Sequence, residues 1–250
     1  LAAAGFILAA LLPRALQLVV LGLLALGVGS LGVLFIWPVG RVEMGPDTPQ
    51  QRVDERDIMF ARARLKPGSP EYDAYYAMRP ENKAADDHTR TRPGLLSPGA
   101  RFANPYLFAS SLSSFELTEA LRNVNWSPPA GQRLDFQPGE LTAYLKGVAR
   151  YYGALVGGVA ELQSYHIYTH VGRGRGMYGE PVQLNHRYAL AFTVEMSAEM
   201  VAAAPFPPIA MESARQYVEA ARVAFQLAGA LRAMGYAAEA HTDGNYRVIA

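Results

Sequence analysis

Near the C-terminal end, His241, Thr242, Asp243, Gly244, Asn245, Tyr246 and Arg247 follow one another without interruption. An imidazole, a hydroxyl, a carboxylate, an amide, a phenol and a guanidinium thus share seven residues, after a long amphipathic stretch. Polar groups clustered on a loop between rigid elements are typical of binding sites. Asp-Gly-Asn also suits an ordinary turn, so the residues alone leave both readings open.

Two other groupings invite chemistry and do not sustain it. Gly174, Gly176 and Gly179 satisfy G-x-G-x-x-G literally. That motif holds a dinucleotide only where a strand precedes it and a helix N-terminus follows, because the helix end binds the pyrophosphate. Here Pro181 and a strand-like apolar pattern follow, so a basic surface loop with Arg173 and Arg175 is expected. His166 and His170 are four apart, a metal-ligand spacing on a helix. The residues between them, Ile167, Tyr168 and Thr169, are strand formers. In a strand, residues four apart lie roughly 13 Å from each other. No Glu follows His166, and no metal site is expected.

The elements that must carry the 241–247 segment are legible around it. Residues 211–234 form the clearest helix, with Ala214, Tyr217, Val218, Ala221, Ala224, Phe225, Ala228 and Leu231 on its apolar stripe. Arg215, Glu219, Arg222 and Gln226 fall on its wet face, and Gly235 suits the left-handed residue that ends a helix. Upstream, Leu141, Tyr144, Leu145 and Val148 mark one face of another helix, closed by Gly153. Residues 154–160 read as a buried strand and 188–196 as a second strand, with residues 236–240 and 246–250 as two more around the Asp243-Gly244 turn. The order helix, strand, strand, helix, strand, strand predicts an α/β or α+β sandwich.

The N-terminal third is of another kind. Residues 15–37 carry no charge over 23 positions, with Gln17 and Ser30 as the polar exceptions. About 20 apolar residues cross the ~30 Å hydrocarbon core of a bilayer. Trp37 and Pro38 stand where an interfacial anchor and a helix stop belong. A secretory signal would have a shorter apolar core and a small-residue cleavage site, which residues 34–37 do not offer. Residues 1–12 read as the remnant of an earlier membrane helix. Arg41 and Arg52 after the span, against Arg14 before it, place the C-terminal domain on the cytoplasmic side. Both ends of the chain lie in apolar runs, as expected of a segment of a longer parent.

Three regions follow: membrane segment or segments at 1–38, a Pro-rich linker and irregular region at 39–138, and an α/β domain from 139 to 250. Within the second, residues 54–64 suggest a short amphipathic helix, residues 79–92 a solvated charged surface, and residues 97–138 an irregular but packed loop rich in Pro and aromatics. A net charge of +1 gives no nucleic-acid footprint. With no cysteine, the chain itself supplies no thiolate nucleophile and no cysteine ligand to zinc or an iron–sulfur cluster.

The run Arg222-Val-Ala-Phe-Gln-Leu-Ala-Gly-Ala-Leu-Arg-Ala-Met-Gly-Tyr236, followed by Ala240-His-Thr-Asp-Gly-Asn-Tyr-Arg247, resembles the corrinoid-binding core of reductive dehalogenases. Glu55-Arg56-Asp57-Ile-Met-Phe-Ala-Arg-Ala-Arg64, Tyr151-Tyr-Gly-Ala-Leu-Val-Gly157 and His186-Arg-Tyr-Ala-Leu190 are similar to segments of the same family. The likeness covers most of residues 50–250, and the N-terminal apolar segment is similar to the membrane-integral branch. It implies a nitroreductase-like α/β core, a cobalamin-type cofactor held at residues 241–247, and an organohalide substrate. It also implies two [4Fe–4S] clusters bound by a ferredoxin-like run of cysteines further along the parent, and an electron donor. Tyr217 matches the tyrosine that supplies a proton as the carbon–halogen bond is reduced, and Asn245 the polar partner that positions the halide or phenolate. The absence of cysteine is the chain's main departure from the family, so these 250 residues alone are expected to be inactive. Epoxyqueuosine reductases share the core chemistry but have no membrane segment. The competing class is a membrane-anchored corrinoid-binding or redox-accessory protein without turnover.

Overall fold

In the computed structural model, residues 13–36, 49, 51–122, 128–174, 176–243 and 246–249 are described. The chain divides into two units, Leu1–Thr48 and Pro49–Ala250. Of the first, helix α1 (Arg14–Ile36) is described. Its 23 residues give a rod of roughly 35 Å at ~1.5 Å per residue. None of them is buried, and among the described residues this is the one helix long and apolar enough to cross a membrane. The anchor and stop expected at Trp37 and Pro38 lie outside the described residues.

The second unit begins with a run of short helices. Asp54 caps a single 3-10 turn (Glu55–Asp57), its Oδ1 accepting from the Arg56 amide at 3.0 Å, and α2 (Met59–Arg62) follows. Ser69 caps α3 (Pro70–Met78), and α4 (Pro80–Arg90) opens on a second proline; proline at a first helical position forfeits no hydrogen bond. Tyr72, Tyr75 and Tyr76 of α3 are buried, and each hydroxyl donates to a carboxylate: Asp87 at 2.7 Å, Asp57 at 3.2 Å and Asp86 at 2.9 Å. The charged run at 79–92 is helical through Arg90, has no buried residue, and works as the polar counterpart of these rings. Lys83 and Arg90 also lie over the rings of Tyr72 and Tyr76.

The expectation of an irregular loop across residues 97–138 is corrected at α5 (Pro105–Arg122), an 18-residue helix. Asn104 caps it, Oδ1 accepting from the amides of Tyr106 and Leu107, both at 3.1 Å. Its buried positions include Ser111 and Thr118, whose hydroxyls donate back to the Leu107 and Ser114 carbonyls at 2.8 and 3.1 Å. The polar atoms are thus satisfied inside the helix, and their small side chains let another helix approach closely.

That partner is α8 (Pro208–Ala233), the long helix legible in the sequence. It is buried on two sides. Ala221, Phe225 and Ala228 pack with Leu121 of α5 and with Ala238 and Ala240 beyond the helix end. Val223 and Leu227 pack with Ala149 of α6 (Pro138–Tyr151), with Ala154, and with Leu190 and Phe192 of the sheet. That sheet pairs β1 (Val156–Glu161) antiparallel with β2 (Tyr188–Thr193), Val156 opposite Thr193 and Glu161 opposite Tyr188. Strand β1, expected to be buried, has no buried residue, because its two glycines and small side chains give little to cover. A five-residue helix, α7 (Ala198–Ala202), leads into α8. Gly235 has φ +86° as its position requires, and a Cβ there would stand 2.6 Å from Arg133 Cα. Unit two is therefore a mixed helix-and-sheet body.

The expected strands at 236–240 and 246–250 do not form a second ladder among the described residues. Residues 236–242 run outside any strand, and Val248 makes one isolated bridge with Ile167. The reason lies in α8. Its end captures the segment, since the Arg232 guanidinium donates to the Ala238 carbonyl at 2.8 Å and the Tyr236 amide to Leu231 O at 2.9 Å. Ala238 and Ala240 then bury against the helix, and side chains this small give little cross-strand stabilisation.

Candidate functional site

A cleft of about 500 Å³ is bounded by α8, β2 and the segment that follows α8. This falls within the ~300–1,000 Å³ usual for small-molecule sites. Alanines make up much of its wall, among them Ala189, Ala191, Ala220, Ala224 and Ala237. Leu162, Leu184, Leu190, Phe192 and Leu231 complete a largely apolar lining. Polar side chains join it from Tyr217, His186, His241, Thr242, Asp243 and Tyr246.

Tyr217, expected on the buried stripe of the long helix, is instead 38% exposed and lines the cleft. Burial on two sides leaves it on a flank of α8 between packed faces. Its ring sits 5.9 Å from that of Phe115 on α5, tilted by 43°. Partial burial pushes the phenol pKa up, the Asp243 carboxylate adds to the rise, and the Arg173 guanidinium opposes it. The hydroxyl therefore keeps its proton at neutral pH.

Thr242 is 3% exposed, and its Oγ1 is buried with no hydrogen-bond partner among the described atoms. A buried hydroxyl left unsatisfied costs about 1–3 kcal/mol. His241 Nδ1 accepts from the Arg247 amide at 3.2 Å, which closes the 241–247 loop on itself and assigns the neutral ring's proton to Nε2. Arg247 does not line the cleft. Its side chain lies 3.8 Å from Glu239. Gly244 and Asn245 lie outside the described residues. Of the residues singled out in the sequence, Tyr217, His241, Thr242, Asp243 and Tyr246 meet at one cleft.

The remaining groupings separate. Gly174, Gly176 and Gly179 all have positive φ, and the loop returns through the Gly179 amide to Val171 O at 2.8 Å without opening a helix. His166 lies in a 3-10 turn (Ser164–His166) and lines the cleft, its Nδ1 accepting from the Gln163 amide at 3.1 Å. His170 pairs elsewhere, with Asp54 at 3.1 Å. Among the described residues no group of three or more His, Asp or Glu could hold a metal ion.

Sequence reasoning missed His166, His186 and Tyr188 as cleft residues. The His186-to-Leu190 run carried the signal for two of them, since it leads straight into a strand beside the helix that bears Tyr217. No known family model matches this sequence, and none of the curated proteins does.

Proposed function

We propose that this chain supplies the corrinoid-binding part of a membrane-anchored reductive dehalogenase, an enzyme that replaces a carbon-bound halogen by hydrogen. The observation that carries the reading is the convergence of Tyr217 with His241, Thr242, Asp243 and Tyr246 on one alanine-walled cleft. Two features fit a corrinoid. The apolar wall suits the face of a macrocycle, and the Thr242 hydroxyl, without a partner among the described residues, suits a hydrogen-bonding group at its rim. In this reading the core is nitroreductase-like, and α1 makes the protein an integral membrane protein with this domain on the cytoplasmic side.

When bound, a reduced corrinoid supplies the electrons that break the carbon–halogen bond, replenished from two [4Fe–4S] clusters held elsewhere in the parent. The residues of this chain do the rest. Thr242, with His241, Asp243 and Tyr246, would hold and orient the ring. The apolar wall excludes water. Tyr217, whose phenol stays protonated because burial and Asp243 both disfavour the phenolate, donates one proton to carbon from its hydroxyl. By the family resemblance, Asn245 is assigned the positioning of the departing halide or a phenolic substrate oxygen.

Purified parent protein reconstituted with hydroxocobalamin should retain about one cobalt per chain after gel filtration, with the corrinoid absorbance bands. Loss of all cobalt in that step removes both the enzyme and the corrinoid-carrier readings. Retention of cobalt with no halide release under reducing conditions selects the carrier. Alkaline carbonate washing should leave the protein in the membrane fraction, and recovery in the supernatant would refute the anchor.

A further inference from the structure

Residues 52–55 lie outside the cleft, yet they bind the loop that frames it. Arg52 donates from Nε to the Ile167 carbonyl at 3.1 Å, and from Nη2 to the carbonyls of Tyr168 and, at 3.1 Å, Val182. The Thr169 amide donates to Val53 O at 2.9 Å. Glu55, 1% exposed, accepts through Oε2 from the amides of Gly172 and Arg173 at 2.8 and 3.2 Å, and through Oε1 from Arg173 Nε at 3.0 Å. The backbones meet so closely that a Cβ on Gly172 would stand 2.7 Å from the Glu55 carbonyl carbon.

The same loop grips the cleft wall with its other edge. The Tyr168 amide donates to Arg247 O at 3.0 Å, the Ile249 amide to His166 O at 2.8 Å, and Ile167 bridges Val248. His166, Tyr246, Val248 and Ile249 all line the cleft. Arg52 is therefore two hydrogen-bond steps from the ligand space. Its planar fork suits several carbonyls at once, which a point-like ammonium does not.

We infer that Arg52 and Glu55 are positioning residues for the cleft, acting through residues 166–173 on the wall residues Tyr246, Val248 and Ile249. The inference takes from the preceding section only that the cleft is a ligand site. Hydrogen exchange on the full chain without ligand tests it first. In Arg52→Ala the Tyr168 and Ile249 amides should exchange at least roughly tenfold faster, while the α3–α4 pair and the middle of α8 keep their rates. Arg52→Lys should fall between the two. Unchanged exchange at 168 and 249 in a folded Arg52→Ala protein, or equal acceleration everywhere, would overturn the assignment. If Arg52→Ala does not fold, Glu55→Gln, which keeps size and one acceptor, carries the same comparison. A second arm titrates hydroxocobalamin, which Arg52→Ala should bind roughly tenfold more weakly (about 1.4 kcal/mol). Absence of binding to the wild-type chain would defeat the corrinoid reading, leaving the exchange result to decide this one.

Discussion

The α3–α4 pair and the cleft wall treat buried polar groups in opposite ways. In the first, three buried tyrosine hydroxyls each reach a carboxylate, and Lys83 and Arg90 complete the network around Asp87 at 2.7 and 2.8 Å. In the second, Thr242 is as deeply buried as those tyrosines, yet its hydroxyl has no partner among the described residues. A satisfied network stabilises the fold and needs nothing more. An unsatisfied hydroxyl in the wall of a cleft is a standing cost that a ligand can remove. The Tyr178 hydroxyl, packed against the α3 tyrosines, is likewise buried with no partner among the described residues, so what distinguishes Thr242 is its place in a cleft wall.

Breaking the brace gives the largest expected loss of stability. Glu55 and Arg173 form a pair with side chains 1% and 6% exposed, so Glu55→Ala leaves a buried guanidinium without its carboxylate. The cost should be about 3–5 kcal/mol in the free energy of urea unfolding. A change below ~1 kcal/mol would mean that water reaches Arg173. Next comes the tyrosine network. Tyr76→Phe keeps the ring but strips Asp86 and Arg90 of their shared partner, for a loss of about 1.5–3 kcal/mol by the same measurement.

Thr242→Val reverses the sign. It replaces an unsatisfied hydroxyl by a methyl of similar size, and should raise the stability of the ligand-free chain by about 1 kcal/mol. The same change should weaken ligand binding, since only the wild-type side chain gains a hydrogen bond. A loss of stability on Thr242→Val would show that the hydroxyl already has a partner, and the contrast between the two regions would fail.

How far the sequence reveals this arrangement depends on what each element buries. Helices α6 and α8 stand out because their buried faces are largely apolar and periodic, whereas both strands, with no buried residue, stand out by their β-forming residues alone. Helix α5 does not, because Ser111 and Thr118 occupy its buried face and an apolar count passes over them. Its signal was the Asn104-Pro105 cap instead. Tyr217 reads as a core residue while α8 is taken to have one buried side; the second side, at Val223 and Leu227, moves it to a flank. The gathering of Tyr217 with the 241–247 segment is expected only from the family resemblance, since the residue pattern itself places Tyr217 on the core stripe and reads Gly235 as a helix stop. The bond from Arg52 to the carbonyls of Ile167 and Val182 was not, since it joins residues 115 and 130 apart through backbone atoms that no side-chain pattern records.

In the proposed reaction, Tyr217 stands protonated beside a bound corrinoid and gives its proton to a substrate carbon. Tyr217→Phe in the reconstituted parent enzyme tests it most directly, with cobalt content and halide release measured on the same samples. The change removes one hydroxyl and keeps the ring against Phe115. Cobalt per chain should be unchanged while the rate falls roughly 10²–10⁴-fold, the usual worth of a positioned acid. Because the phenol pKa is raised, the wild-type rate should also hold through neutral pH and decline only above the ordinary tyrosine value of 10.0. A Tyr217→Phe enzyme with full cobalt and full activity would contradict the account.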